Sequence, residues 1–474
     1  MRKPLSGNIF SALILLSFII LSHGCSKTPT DPNSTIVPTV TTYNIISTVT
    51  QTTALSGGVT TTNNYGDIRA NGVCYSSTNQ LPTVADSKTT DTITAVNTGF
   101  NSPITGLTGA TTYYLRAYTT NAAGTGYGAV ITFKTLPTAA KLTTSVSTIA
   151  GNAAVGYGFA DGTGSSALFS GPQYIAFNPV KNNFYISDIL NNAIRGMTPA
   201  GLVSTVTTPT LGLVNGPLSS ALFYSAGSIA FDAQGNAYVA DLGNNVIRKI
   251  TAAGVVSTLA GNGVAGYVDG AGTSAEFSSP SGVAVDANGV VYVADRDNNL
   301  IRQITPAGVV STLAGGLANP GISQTAAPGY VDGTTGPYSV FNRPCAVAVD
   351  KNGNLYVADV NNKAIRVVTI ATGATATYAG NKVQKSIVSA PIALAIDAAG
   401  TLYISDESGR ILEITSQKVL YILGGALNTH AYVDGAGAVS RFANPQGLTV
   451  DAAGNVYVAD FDNNVIRKIT VTYQ

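Results

Sequence analysis

The 474-residue sequence predicts an all-β chain whose last two-thirds repeat one four-stranded unit. Three observations carry that prediction. Residues 277–315 (FSSPSGVAVDANGVVYVADRDNNLIRQITPAGVVSTLAG) divide into four short apolar runs separated by turn signals. The same pattern returns along the chain, six times in all. The 51 glycines are spread rather than clustered, as a fold of many tight turns requires.

Within that stretch, 282–286 is the first run and Asn288-Gly289 is a hairpin signal. Residues 290–295 form the second run, and Asp297, Asn298 and Asn299 make the next turn. The third run is 300–305, Ala307-Gly308 turns the chain again, and 309–313 is the fourth. Four antiparallel strands of this kind build one blade of a β-propeller. A single blade leaves both faces apolar, so it must stack on copies of itself.

Composition narrows the function. Removing the first 24 residues deletes Arg2 and Lys3 and no acid, so 23 basic groups face 24 acidic ones. A charge near zero excludes a nucleic-acid footprint. Cys25, Cys74 and Cys345 fall in three separate regions, so neither a disulfide framework nor a thiolate metal site follows. Cys74 and Cys345 read as small buried side chains.

In chain order, residues 1–24 form a leader. Arg2 and Lys3 precede the apolar stretch 9–21, which is too short to cross a bilayer as a helix. The following Leu21-Ser22-His23-Gly24-Cys25 resembles the lipobox of bacterial lipoproteins, which implies cleavage before Cys25 and its lipidation. Residues 25–37 are a Pro/Ser/Thr-rich tether. Residues 38–137 predict a small β-sandwich rich in Thr, Val and Tyr. Leu107, Tyr113 six residues on, then alternation to Asn121 and Gly124, resembles the late strands of a fibronectin type III domain. In that family a Tyr near the start of a late strand bonds back to the backbone as a corner. The version resembled is common in secreted proteins of Bacteroidetes-type bacteria, and it implies a spacer.

The repeats occupy 144–474. Their second strands end on Asp188, Asp241, Asp295, Asp359, Asp406 and Asp460, spaced by 53, 54, 64, 47 and 54 residues. Each Asp follows a Tyr by three positions, and five lead into Asn-Asn and Arg: Asn191/Arg195, Asn244/Arg248, Asn298/Arg302, Asn361/Arg366 and Asn463/Arg467. The fifth copy, Asp406 to Arg410, lacks this signature. Tyr-Val-Ala-Asp-x-x-Asn-Asn-x-Ile-Arg with a trailing Val-Ser-Thr-Leu-Ala-Gly resembles the NHL repeat, which implies a closed β-propeller. The chain stops after the third strand of the last copy, while 145–151 (SVSTIAG) matches the fourth strand at 256–261 (VSTLAG). The expectation is a six-bladed propeller whose N-terminal strand completes the last blade.

Loops preceding the first strands are long and related: Tyr157 with Asp161, Asn215, Tyr267 with Asp269, Tyr330 with Asp332, and Tyr432 with Asp434. Each leads to a Phe, at 169, 223, 277, 341 and 442. Two readings stand. In one, Asp-Gly is a turn dipeptide, the Phe packs between blades, and Asp295- and Arg302-type residues are struts within a blade. In the other, Tyr157, Asp161, Tyr267, Asp269, Tyr330, Asp332, Tyr432 and Asp434 ring a polar mouth, with Tyr faces for sugar rings and carboxylates that suit Ca²⁺. Asp297, Asp462 and Glu407 join that end from the turns between second and third strands.

Six-bladed relatives include lactonases and an amidating lyase. With His430 alone after the leader, a histidine cage is ruled out. No nucleophile elbow or phosphate-cradling loop is present. The expected function is a monomeric envelope protein, lipid-anchored to the outer membrane, that captures a glycan or a protein partner without a cofactor. The alternative is a carboxylate-dependent hydrolase or lactonase.

Overall fold

The computed structural model describes residues 36–62, 67–93, 95–136, 142–316, 328–380 and 388–473. The leader, Cys25 and the tether up to residue 35 lie outside them, as does the fifth copy's loop with Lys382 and Lys385, which the sequence sets apart from the Tyr/Asp loops of the other copies. The described chain is all β apart from single turns of 3₁₀ helix.

The first region is two antiparallel sheets. Strand Ala54–Thr62 is flanked by Gly99–Ile104 on one side and by Thr39–Thr42 and Ile46–Ser47 on the other. The second sheet joins Ser87–Lys88, Ala70–Ser76 and Thr112–Thr120, with Thr125–Tyr127 and Ile131–Lys134 at its far edge. Alternate residues point inward, so Val73, Ile104, Leu115 and Phe133 share one core. Tyr113 stacks on Phe133, and its hydroxyl accepts from the Thr108 N–H at 3.0 Å.

Strand Ile46–Ser47 also pairs in parallel with Val419–Gly425 of the repeat region, placing Ile46 opposite Val419 and Ser47 opposite Leu420. The Ile46 N–H donates to Lys418 O at 3.1 Å, and Asn44 Nδ2 donates to Thr377 O at 2.9 Å. Ile45 is buried among residues of the fourth and fifth units, and Val419 is buried in the sandwich core. The first region is therefore seated on the fifth unit, a contact its composition does not announce.

Six units follow, each with strands paired antiparallel in chain order. Their first strands are Pro172–Asn178, Ala226–Phe231, Pro280–Val285, Pro344–Val349, Pro391–Ile396 and Pro445–Val450. Each neighbours the next, and the sixth neighbours the first. A cavity of about 230 Å³ between all six is lined mainly by Ala, Val, Ile and Phe. Phe169, Phe223, Phe277, Phe341 and Phe442 are buried.

The sixth unit takes its fourth strand from the other end of the region. Leu142–Gly151 pairs with Val465–Tyr473, from Leu142 opposite Tyr473 to Gly151 opposite Val465. The pairing between 145–151 and the last strand is the one expected from sequence. A feature not expected is a short fifth strand outside the fourth: Gly162–Thr163, Gly216–Pro217, Gly270–Ala271 and Gly435–Ala436 in units one, two, three and six. In the fifth unit Ile46–Ser47 occupies that edge instead. Covering outer edges satisfies backbone groups that would otherwise template association.

Candidate functional site at the loop end

The repeated aspartates and arginines form a clasp. In the third unit Arg302 Nη1 donates to Asp295 Oδ2 at 2.7 Å and to Glu276 O at 3.0 Å. Its Nη2 donates to Val268 O at 3.0 Å and to Asp269 Oδ1 at 2.6 Å. Asp295 also accepts from the Ser278 N–H and from Asn298 Nδ2, both at 2.8 Å. The Phe277 ring lies 5.2 Å from the guanidinium carbon. Arg195, Arg366 and Arg467 repeat the clasp with Asp188/Asp161, Asp359/Asp332 and Asp460/Asp434. In the second unit Asn215 stands in for the outer aspartate at 2.8 Å from Arg248. In the fourth unit the bond to Asp359 comes from Asn362, not from the Asn361 that alignment of the Asn-Asn dipeptides singles out. Counting three residues on from each Asp would have found it.

Burial pushes the inner carboxyls up, Asp295 and Asp460 to about 6, against the pull of their Arg, Asn and backbone donors. At the outer Asp161 burial works the same way, but Arg195 and Thr205 outweigh it and hold the carboxyl below its usual value.

The structure thus places Asp161, Asp269, Asp332 and Asp434 each within its own unit, bonded to Arg at 2.5–2.6 Å and to the backbone N–H of Thr205, Thr312, Thr377 and Thr148 at 3.0–3.2 Å. Thr148 lies on the N-terminal strand and fills the place that each unit's own fourth strand fills elsewhere. Tyr330 and Tyr432 lie over Arg366 and Arg467 at 4.7 and 5.0 Å. Tyr267 is half-buried, whereas Tyr157 is 79% exposed, with Phe159 taking the place over Arg195. These aspartates tie the loop to the sheet through Arg and a fourth-strand Thr, where the first sequence reading had them as turn residues. Their oxygens are largely committed to Arg and Thr donors. Among the described residues no three His, Cys, Asp or Glu side chains are grouped to hold a metal ion.

A different set of residues converges at the same end. A cavity of about 510 Å³ lies where units four, five and six meet, lined by Lys363, Glu407, Ser408, His430, Asn444 and Asp462 among others. Its residues are where the repeat breaks. In units two, three and six a left-handed Asn ends the turn after the second strand, and its Oδ1 accepts a backbone N–H of another unit: Asn245 from Ser279, Asn299 from Arg343, Asn464 from Gly171, at 2.8–2.9 Å. In unit four that position is Lys363, at φ +55°. Unit five lacks the Asn-Asn turn altogether, which leaves Glu407 and Ser408 at the cavity. Glu407, His430, Asp462 and Lys363 are all exposed. Carboxylates, amides, hydroxyls and one ammonium in a single hollow can accept from and donate to a polyhydroxylated or peptide ligand. Glu407, Asp462 and unit five's departure were visible in sequence. Lys363 and His430 were not singled out, although comparing Lys363 with its sister asparagines would have marked it.

Residues 277–304, 341–368 and 442–469 match the NHL repeat family. Three of the repeat units are thus similar to NHL repeats. Among curated proteins it is similar to NHL repeat-containing protein 2 of Bos taurus, 30% identical over 292 residues that make up 53% of this chain and 39% of that protein. It also resembles the chloroplastic protein SUPPRESSOR OF QUENCHING 1 of Arabidopsis thaliana, 27% identical over 48% of this chain and 22% of that one. The chain therefore spans well under half the length of either relative. Among solved structures, one from Bacteroides thetaiotaomicron VPI-5482, of unknown function, matches 93% of this chain and 99% of its own, with a TM-score of 0.52 and 17% identity. An auxiliary nutrient binding protein from the same organism gives a TM-score of 0.51 and 16% identity over the same shares. These likenesses to solved structures speak to the fold alone.

Proposed function

We propose that the chain is a six-bladed NHL propeller, closed by its N-terminal strand, that captures a glycan or protein ligand in the cavity between units four, five and six. The observation that carries this reading is the convergence of repeat-breaking residues, Lys363, Glu407 and Ser408, on one polar hollow with His430 and Asp462. A scaffold under no demand to bind would keep its asparagine staple. The cyclic order of the first strands supports the ring. The sheet order of the first region and the Tyr113 bond support a fibronectin type III-like module seated on unit five. The leader and Cys25 support lipid anchoring in a bacterial envelope, and the nutrient-binding neighbour from Bacteroides supports capture over catalysis. Tyr157, 79% exposed, keeps ring surface of the kind that a glycan stacks on.

The test is a glycan and envelope-protein array probed with the full chain in detergent. Glu407→Gln with His430→Ala should weaken the captured ligand at least tenfold without moving the thermal midpoint; unchanged capture refutes the site. A second reading rests on Glu407 and Asp462 lining one cavity, as a hydrolase or lactonase working through carboxylates requires. It predicts turnover of a chromogenic lactone or glycoside that Asp462→Asn abolishes.

A further inference from the structure

At the opposite end of the sheets, two other departures from the repeat meet. Units one, two and three turn from third to fourth strand through four residues opened by Thr and closed by Gly201, Gly254 or Gly308, and unit four through Thr369 to Gly373, with these glycines at φ +69° to +84°. In unit five the closing residue is Lys418, held at φ +64° with its N–H still donating to Thr415 O at 2.8 Å. A side chain in this conformation is a standing cost that glycine avoids. The fourth strands carry half-buried Leu259 and buried Leu313 and Leu423 at one position, where unit four has Tyr378. The two exceptions touch: Lys418 Nζ stands 3.2 Å from the centroid of the Tyr378 ring.

Both residues line a cavity of about 390 Å³ between units four and five. Tyr356 packs edge-on against Tyr378 at 4.9 Å, and Asn352 and Ser416 supply amide and hydroxyl groups. Two carboxylates border the cavity. Asp350 accepts the N–H groups of Asn352 and Asn354 on one oxygen, and Asn354 Nδ2 on the other. Asp397 accepts those of Ala399 and Thr401, and Tyr403 Oη. Asp286 and Asp451 make the same turn bonds in other units, so these two carboxylates belong to the scaffold. Among the described residues Lys418 makes no ion pair. Burial lowers its ammonium pKa to about 8, while the electron-rich face of Tyr378 favours the charged form.

We propose that this cavity is a second binding site, in which the Lys418 ammonium takes the carboxylate of a small sugar acid and the amide and hydroxyl groups beside it take the hydroxyls. A cation held on an aromatic platform, facing a polar hollow whose two carboxylates are bonded into their own turns and not to it, is arranged for an anion from outside. The site shares no residue with the loop-end cavity and stands or falls independently of it.

The test uses the full chain in detergent, its lysines labelled by reductive ¹³C-methylation, with Lys418 assigned by the resonance missing from Lys418→Gly. Titration with sodium glucuronate should move the Lys418 resonance saturably, and equimolar glucose should not. Lys418→Gly restores the residue of the sister turns, so its thermal midpoint should hold or rise while calorimetric glucuronate affinity falls at least tenfold. Glu407→Gln with His430→Ala should leave the Lys418 response unchanged. No saturable shift, an equal response to glucose, or full affinity in Lys418→Gly overturns the proposal.

Discussion

Replacing Arg302 by Met tests whether the clasp holds each unit together. Arg302 is wholly buried and donates four hydrogen bonds: to Asp295, Asp269 and two backbone carbonyls. Met occupies similar space and donates none. The change strands the Asp295 carboxylate, itself fully buried, with only Asn298 and the Ser278 N–H for company. Removing one partner of such a pair costs about 3–5 kcal/mol. Asp269→Asn acts on a carboxylate that is 47% exposed and should cost only about 0.5–1 kcal/mol. Arg302→Met with Asp295→Leu takes away the stranded charge and should recover about half or more of the loss. The pH sign follows from Asp295, whose carboxyl burial already raises to about 6. Without Arg302 it rises further, so the native variant holds a proton that the unfolded chain releases near pH 4. Its stability therefore falls as pH climbs from about 4 through the raised pKa, and the deficit is larger at pH 8 than at pH 5. Urea unfolding at both pH values, with m unchanged, measures all of this. A loss under about 1 kcal/mol, or a double variant no better than Arg302→Met, would refute the reasoning.

Three further outcomes follow from the same geometry. Deleting 142–151 removes the outer partner of Val465–Tyr473, including buried Val146 and Ala150, and should abolish the cooperative transition and cause aggregation; a monomer with an unchanged melt contradicts the closure. Ile46→Ala, at a residue 1% exposed on the strand that bridges the two regions, should cost about 2–5 kcal/mol and split unfolding into two transitions by calorimetry. Lys363→Asn restores the residue of the sister turns and should hold or raise the thermal midpoint while ligand capture is lost, an outcome opposite to that of a structural lysine.

Much of this was legible in one dimension because a repeat is its own comparison. Alternating apolar residues, Asn-Gly and Ala-Gly turns and the Asp-to-Arg interval recur, so the strands, their order and the match of 145–151 to the fourth-strand motif could be read directly. Those are local consequences of side-chain period and turn chemistry, which each segment carries in itself. Which carboxylates build and which can bind could not be read that way. Asp269 and Asp462 look alike in sequence, yet one sits on a guanidinium and the other lines an open cavity. That division depends on residues about 30 positions apart meeting across a sheet, as Arg302 meets Asp269. The seating of Ile46 beside Val419, and Lys418 over Tyr378, belong to the same class. Turn chemistry is written within a few neighbouring residues, whereas burial and charge pairing are settled only when distant strands pack. Function at this chain's surface is therefore decided by the tertiary structure.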